Sequence, residues 1–215
     1  MDTPKFIITI NREYGSGGHS IALKLGELLG LKVYDKSILE SLTEQYNLTS
    51  DEIEQLKAKK KHWWDDFCNF YRQFNSMNRR SSEEGGRLTS MQLYHAEAKI
   101  LRELAEQESC IIIGRSAFHI FRHNPNAWKV LLIANDEHRI RHLTQKYGIT
   151  AEEASRRMTD ADEARENYTL TFAGTSRYDA RLYDLVCNVS NLDPDHVANF
   201  LADLARRRFG LQHDS

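Results

Sequence analysis

The chain has 215 residues, of which 40% are hydrophobic and 28% charged, which suffices for one core with an appended lobe or for two small domains. Its net charge of −2 and its pI near 6.5 provide no bulk attraction to nucleic acid or to an anionic membrane. No apolar run approaches the roughly 18 residues that a membrane-spanning helix needs, and the first residues lack the pattern of an export signal. Three widely spaced cysteines, Cys68, Cys110 and Cys187, indicate free thiols. We therefore expect a cytoplasmic protein without nucleic-acid or membrane partners.

Five short apolar runs predict the strands of a sheet. In chain order they are residues 6–10, 31–34, 110–114, 128–134 and 185–189. Apolar runs without polar alternation indicate strands that are covered on both faces. Helical patterns separate them, as at residues 21–29, where apolar residues recur at helical spacing and Gly30 is a plausible stop. The alternation predicts an α/β fold with a doubly wound, five-stranded parallel sheet flanked by helices.

Two regions interrupt this alternation within what we expect to be a single domain over residues 1–215. Residues 50–90 have a charged helical pattern, which we interpret as a helical insertion. It contains an aromatic helix at residues 62–74, for which a lid over a base, a dimer contact and the core of the inserted lobe are all open interpretations. Residues 150–181 are rich in arginine and aspartate and predict a lid-like segment. Its helix is expected to begin at Thr150, with Glu153 completing a capping box.

A glycine-rich turn follows the first predicted strand and precedes the first helix. Gly15, Gly17 and Gly18 lie there together. Glycines let the backbone wrap closely around a phosphate, and the first amides of a helix attract its negative charge. We interpret residues 15–20 as a phosphate cradle, with a tight turn that binds nothing as the alternative. The lysine of the usual G-x-x-x-x-G-K-[ST] loop is missing, because Gly18 stands in its place and His19 follows.

With this loop the chain resembles the cytidylate kinase-like family, a divergent branch of the nucleoside monophosphate kinases with the P-loop fold. Those kinases carry I-T-I-D-G-P-S-G-S-G-K-G-T here, and the divergent branch carries R-E-x-G-S-G-G, which residues 12–18 match. Weaker similarities follow in order: Y-D-K at 34–36, G-R at 114–115, E-x-R at 137–139, D-x-x-R at 162–165 and Y-D at 183–184. Ser116 departs from the G-R-D of the family. The resemblance covers residues 6–192 outside roughly 50–90.

The resemblance implies that ATP and Mg²⁺ bind at the loop. The residues implied to bind the cofactor are Gly15, Ser16, Gly17, Gly18, His19 and Ser20. Ser20 is the candidate hydroxyl for the metal, with capping of the first helix as the alternative. His19 is a candidate phosphate donor or an ordinary surface histidine.

Phosphoryl transfer needs positive charge around the moving group and little covalent work by the protein. Arg12 is a candidate replacement for the missing lysine, with a surface salt bridge to Glu13 as the alternative. Arg115, at the end of the third strand, is a candidate for acceptor or phosphate contact. The resemblance makes Arg165 a candidate to close over the donor. The alternative for Arg115 is a structural ion pair, and the alternative for Arg165 is a solvated helix face.

Two carboxylates complete the candidate catalytic set. Asp35, at the end of the second strand, is a candidate to orient an acceptor hydroxyl or to act as a base, and it is also a candidate cap for a helix that starts at Lys36. Asp162 is a candidate to hold Arg165 in place or to assist Mg²⁺.

These residues predict a kinase that transfers the γ-phosphate of ATP to a nucleoside monophosphate, cytidylate-like, or to a similar small acceptor. The missing lysine supports an alternative: a catalytically degenerate nucleotide-binding protein that acts as a sensor or interaction module. In either case the expected partner is a small-molecule nucleotide or phosphorylatable acceptor. The chain is expected to be a monomer or a homodimer.

Overall fold

The structure, a computed structural model, describes residues 5–35, 98, 101–102 and 104–211. It divides the chain into two compact units, residues 1–33 with 108–215 and residues 34–107. The predicted insertion at 50–90, with its aromatic helix at 62–74, lies outside the described residues, as do Lys36 and Cys68.

The described elements alternate between strands and helices, as the sequence predicts. In chain order they are β1 (Ile7–Arg12), α1 (Gly18–Leu29), β2 (Lys32–Tyr34), β3 (Cys110–Ile113), α2 (Ala117–Ile120), β4 (Ala127–Ile133), α3 (Asp136–Tyr147), α4 (Ala151–Ala173), a 3₁₀ turn (Ala180–Leu182), β5 (Leu185–Asn188) and α5 (Pro194–Phe209). All five predicted strands are confirmed, each within two residues of its expected bounds. The α/β fold class is likewise confirmed.

The five strands form one parallel sheet in the order β2-β3-β1-β4-β5. β1 lies at its centre, where Ile8 pairs with Ile111 of β3 on one side and Trp128 of β4 on the other. The chain passes from β3 across β1 to β4, so the winding reverses beside β1. In open α/β sheets, ligands bind outside the carboxyl ends of the strands at such a reversal. The end of β1, at Arg12, is therefore the expected position of a site.

Apolar side chains bury both faces of the sheet. On one face, Ile8 and Ile10 belong to a cluster that includes Ile21 and Leu25 of α1 and Leu201 of α5. On the other face, Phe118, Leu131 and Tyr183 form a second cluster. Side chains of Leu143, Ala154 and Met158 form a third, which joins α3 to α4. Burial on both faces explains why the strand sequences are continuously apolar.

The capping residues at the ends of α1 and α4 agree with our expectations, with one exception. Gly30 ends α1 with φ +63° and donates to the Gly26 and Glu27 carbonyls, which confirms the predicted stop. Thr150 caps α4 by accepting from the Glu153 amide at 3.2 Å. The predicted capping box is only half formed, because the Glu153 carboxylate binds Arg156 and Arg157 at 2.6 Å each. The arginines three and four residues further along the helix compete with the Thr150 amide for the Glu153 carboxylate.

The described cysteines carry no disulfide. Cys110 is buried in β3 and Cys187 is partly buried in β5. Burial raises the pKa of the Cys110 thiol to about 12, so this thiol stays protonated at neutral pH. In the parts of the chain that the structure describes, no helix has the length and apolar character to cross a membrane.

Candidate functional site

The turn between β1 and α1 bends sharply at two glycines. Gly15 has φ +86° and Gly17 has φ +78°, a region that side chains rarely adopt. A Cβ at Gly15 would also lie 3.0 Å from Leu143 Cδ1 and 3.1 Å from the Arg139 carbonyl oxygen of α3. These two glycines therefore allow both the turn and the close approach of α3.

Several amides of this turn have no acceptor in the part of the protein that the structure describes. Ser16 is buried, and its hydroxyl donates to the Glu13 carbonyl at 2.9 Å and accepts from the Gly18 amide at 3.3 Å. The Ser16 amide donates to the same carbonyl at 3.4 Å. Within the described residues, the amides of Gly15, Gly17 and Ser20 donate to no protein atom. They sit at the amino end of α1, where the helix dipole favours an anion.

An open cavity of about 320 Å³ lies over this turn. Most of the predicted cofactor-binding residues line it, together with residues of α3 and α4. The lining residues are Arg12, Glu13, Tyr14, Gly15, Gly17, Gly18, His19, Ser20, His142, Leu143, Lys146, Tyr147 and Arg165. Ser16 lies beneath the turn and fixes its shape instead of facing the cavity. The structure thus brings the predicted loop together with Arg12 and Arg165.

Arg12 extends from the loop to the end of β3. A Cβ at Gly18 would lie 2.7 Å from Arg12 Cβ and 3.2 Å from its Cγ. A Cβ at Gly114 would lie 2.6 Å from Arg12 Nη1. The Arg12 side chain therefore runs between two glycines, and no side chain fits at either one without displacing it. Its guanidinium lies at the carboxyl edge of the sheet.

Asp162 of α4 joins the loop to three arginines. One carboxylate oxygen accepts from the Tyr14 amide at 3.0 Å, from Arg165 Nη1 at 3.1 Å and from Arg177 Nη1 at 3.2 Å. The other accepts from Arg139 of α3. Asp162 is 9% exposed, so these partners replace the water that a carboxylate requires. Of the two roles predicted for it, the contacts with Arg165 match the positioning role.

Arg165 faces the cavity from α4. Its guanidinium lies 5.4 Å from the centre of the Tyr14 ring, within the range of a cation–π contact. Burial and the neighbouring Arg177 lower the pKa of Arg165, while the Asp162 carboxylate opposes that shift. An arginine remains charged at neutral pH under such a shift. Arg165 is thus a fixed positive charge beside the loop.

The wall formed by α3 was not predicted from the sequence. His142, Leu143, Lys146 and Tyr147 line the cavity from this helix. A Cβ at Gly17 would lie 3.9 Å from His142 Cε1, which places the imidazole next to the turn. Arg139, His142, Leu143 and Lys146 are spaced as one face of a helix, and this spacing was the available indication. Burial and the charge of Lys146 lower the pKa of His142.

The Glu13 carboxylate is bound by groups at the end of β4 and on α3. Its Oε2 accepts from the Ala134 amide at 2.8 Å, and its Oε1 lies 3.7 Å from Arg139 Nη1. The side chain is 15% exposed. Glu13 therefore connects the loop to the end of β4 and to α3.

Arg115 occupies an unusual backbone segment after β3. Gly114, Arg115 and Ser116 have φ values of +75°, +60° and +50° in succession. Positive φ is costly for a side chain other than glycine, and such strain is concentrated at functional sites. The Ser116 hydroxyl lies 3.4 Å from Thr169 Oγ1 of α4. Arg115 does not line the cavity over the loop, so its predicted acceptor contact stays a prediction.

Asp35 directly follows β2 and is 7% exposed. It belongs to the second compact unit, residues 34–107, and is described by itself. Its predicted roles, in orienting an acceptor or in capping a helix from Lys36, stay predictions.

Comparison with known proteins agrees with the resemblance noted above. The sequence pattern of the cytidylate kinase-like family matches residues 7–191 of this chain. No curated protein matches the chain significantly.

Two solved structures illustrate the fold. An uncharacterized protein from Eubacterium ventriosum is 22% identical, with a TM-score of 0.66, and the match covers 94% of this chain and 99% of that one. The shikimate kinase from Acinetobacter baumannii, solved in complex with shikimate, is 10% identical with a TM-score of 0.50 over 94% of this chain and 93% of that one. At these identities the similarity concerns the fold alone.

Proposed function

The chain belongs to the cytidylate kinase-like family, and from that premise we propose that it is a kinase that transfers the γ-phosphate of ATP, with Mg²⁺, to a nucleoside monophosphate or a similar small acceptor. The observation that carries this proposal is a set of amides at Gly15, Gly17 and Ser20 that have no acceptor among the described residues and lie at a cavity lined by arginines. Amides and guanidinium groups directed at one open space suit a chain of phosphates. A reaction that consumes ATP also fits the cytoplasmic location that the sequence predicts.

The residues at the loop fit both implied cofactors. The turn has room for phosphate oxygens because no side chain projects from Gly15 or Gly17. Ser20 is exposed at the start of α1 and lines the cavity, so its hydroxyl is available as one oxygen ligand for Mg²⁺. When bound, MgATP supplies the phosphoryl group and neutralises part of its charge. The chain supplies the seat and the surrounding positive charge.

Arg12 and Arg165 have separate roles in this proposal. Arg12 lies at the sheet edge between Gly18 and Gly114, and it is our candidate for the charge near the transferred group. Arg165 approaches from α4 and is held by Asp162 at 3.1 Å. Fixed guanidinium groups stabilise the equatorial oxygens of the transferred phosphoryl group without reorganising during the reaction. Asp162 positions Arg165 and does not itself need to contact the nucleotide.

The acceptor is the least constrained part of the proposal. Arg115 follows β3 at the carboxyl edge of the sheet, as acceptor-binding groups do in this architecture, and we assign an acceptor contact to it. Asp35 follows β2 and is a separate candidate for the acceptor. A cytidylate-like nucleotide is the acceptor that the family name suggests. The A. baumannii relative in fold was solved with shikimate, a non-nucleotide, so acceptors of both kinds belong in a test.

A panel of nucleoside monophosphates and small hydroxylated acceptors, each incubated with MgATP, tests the proposal by coupled detection of ADP. We expect one class of acceptor to raise ADP formation well above the rate with MgATP alone. The Arg12→Ala variant should then lose on the order of 10² in rate, about 2.7 kcal/mol of transition-state stabilisation. Lys24→Ala, on the exposed side of α1, is the matched control and should retain full rate.

The alternative function, nucleotide binding without transfer, is favoured by one observation. Gly18 stands where kinases of this fold have lysine, and Arg12 fills the adjacent space. If ATP binds saturably and every acceptor in the panel fails, this alternative replaces the kinase proposal. If ATP does not bind at millimolar concentration, both are wrong.

A further inference from the structure

We propose that Lys146 and His142 of α3 hold the phosphate chain of the bound nucleotide, and that they add a second source of positive charge to that of Arg12 in a loop that lacks the usual lysine. The identity of the ligand as a nucleoside triphosphate rests on the proposed function. The existence of a polyphosphate site on this wall does not, because it depends only on the groups present there.

The packing of α3 against the loop fixes the position of both side chains. Leu143 lies within 3.0 Å of a Cβ placed at Gly15, so the helix touches the turn directly. His142 precedes Leu143 and lies beside Gly17, and Lys146 is one helical turn further on the same face. His142 therefore lies beside Gly17, and Lys146 lines the same cavity one turn further along α3.

Neither side chain has an acidic partner among the described residues. Three other lysines pair with carboxylates: Lys24 at 3.2 Å, Lys32 at 2.8 Å and Lys129 at 2.9 Å. Lys146 contacts the Tyr147 ring at 5.5 Å instead, and no described carboxylate lies within 4.0 Å of it. His142 stacks on His138 at 6.5 Å and makes no hydrogen bond in the described parts of the chain. Both groups remain available to an anion.

The charges that face the cavity are predominantly positive. Arg12, Lys146 and Arg165 line it, together with His142, which can become positive. Among the described lining residues, Glu13 is the one carboxylate, and it is engaged by the Ala134 amide at 2.8 Å and by Arg139. Several cations around one space repel each other unless an anion with several charges enters. A triphosphate has that charge and is long enough to reach both the loop amides and α3.

Calorimetric titration with inorganic tripolyphosphate, MgATP and adenosine tests this proposal on the intact chain. For Lys146→Ala we expect about a tenfold weaker Kd for tripolyphosphate and MgATP, equivalent to about 1.4 kcal/mol. Lys146→Arg should recover most of that loss, because charge is retained. Adenosine, which has no phosphate, should bind the variant and the wild type alike. Lys24→Ala is the control for a general change in net charge.

The outcomes separate this proposal from the kinase proposal. Tripolyphosphate binding that weakens in Lys146→Ala supports the α3 site even if no acceptor is ever phosphorylated. Equal affinity of Lys146→Ala and wild type for tripolyphosphate and MgATP overturns it, even if the protein proves to be a kinase. An equal loss in Lys24→Ala overturns it as well, as does a wild type that binds neither compound.

Discussion

Arg12 Cβ lies 2.7 Å from the point that a Cβ at Gly18 would occupy, so the arginine and the glycine share one space at the end of β1. In the usual phosphate loop, glycine stands at the position of Arg12 and lysine at the position of Gly18. In this chain the long, positively charged side chain stands at the first of the two positions and glycine at the second. A positive charge is kept beside the loop, but it comes from the strand and not from the helix.

Gly18→Ala tests this exchange of space. Gly18 has no left-handed φ and begins α1, where alanine is favourable, so the clash with Arg12 Cβ at 2.7 Å is the largest expected cost, and a tight contact with Leu132 Cδ1 at 3.3 Å is a smaller one. We expect a loss of about 1–3 kcal/mol in the free energy of unfolding, measured by urea denaturation. In an Arg12→Gly background the same change should cost less, since Arg12 Cβ and Cγ are gone and only the contact with Leu132 remains. Additive effects of the two substitutions would show that the side chains do not compete.

Asp162→Asn should be among the most destabilising single changes in the described part of the chain. It leaves Arg139, Arg165 and Arg177 facing a neutral amide in a site that is 9% exposed. Breaking a buried ion cluster from one side costs about 3–5 kcal/mol. The free energy of unfolding from denaturant titration measures the loss.

Asp160→Asn is the matched control for that substitution. Asp160 is 66% exposed, and its one ion pair among the described residues is with Arg156 at 3.8 Å, so the change should cost less than about 1 kcal/mol. Similar losses for the two variants would mean that Asp162 is not the centre of the cluster.

Tyr183→Phe tests the support beneath β1. The Tyr183 hydroxyl accepts from Asn11 Nδ2 at 2.8 Å and donates to the Arg177 carbonyl at 2.7 Å. Removing it leaves two buried polar groups unsatisfied, at a cost of about 1–3 kcal/mol in unfolding free energy. Tyr178→Phe, at a tyrosine that is 40% exposed, should change stability little. If both variants unfold at the same denaturant concentration as the wild type, water satisfies these groups instead.

The binding of tripolyphosphate should depend on pH through His142. Burial and Lys146 lower the pKa of His142 in the free protein, and a bound anion would raise it. A raised pKa in the complex means proton uptake on binding. Affinity should therefore increase as the pH falls through the pKa of the complex, and it should level off below the pKa of the free protein. Calorimetry in buffers of different ionisation enthalpy measures the uptake.

His142→Gln should remove most of this proton uptake. Other ionisable groups face the same space, and they stay in the variant: Arg12, Glu13, Tyr14, His19, Lys146, Tyr147 and Arg165, with His138 stacked behind. The control is His196→Gln, at an exposed histidine of α5 outside the cavity. Unchanged uptake in His142→Gln would assign the effect to another group, and His19 would be the next to test.

The sheet could be predicted from the sequence because its signal is local. Each strand is a short, continuous apolar run, because burial on both faces of the sheet removes the alternation of apolar and polar residues. The loop could also be predicted from a short stretch of sequence, because the turn itself requires glycine at positions 15 and 17. The second half of the Thr150 capping box failed because Arg156 and Arg157 compete for Glu153.

The α3 side of the cavity could not be predicted, because it depends on contacts between distant residues. His142 and Lys146 follow the loop by more than a hundred residues, and only the packing of Leu143 on Gly15 brings them back to it. Arg139 and Asp162 each belong to a motif of the sequence, but nothing in the sequence indicates that they form a buried pair with each other. A charged residue is usually exposed to solvent, and the sequence alone does not show which other elements pack over it. Buried charge clusters are therefore harder to predict than solvated helix faces.

The response of the loop amides to MgADP, followed in ¹H–¹⁵N spectra, decides whether the turn between β1 and α1 binds phosphate. We expect the amide protons of Gly15, Gly17 and Ser20 to shift saturably downfield, because they gain phosphate acceptors, while amides of α5 stay in place. Saturable binding whose shifts avoid residues 15–20, or no shift at millimolar MgADP, would contradict it.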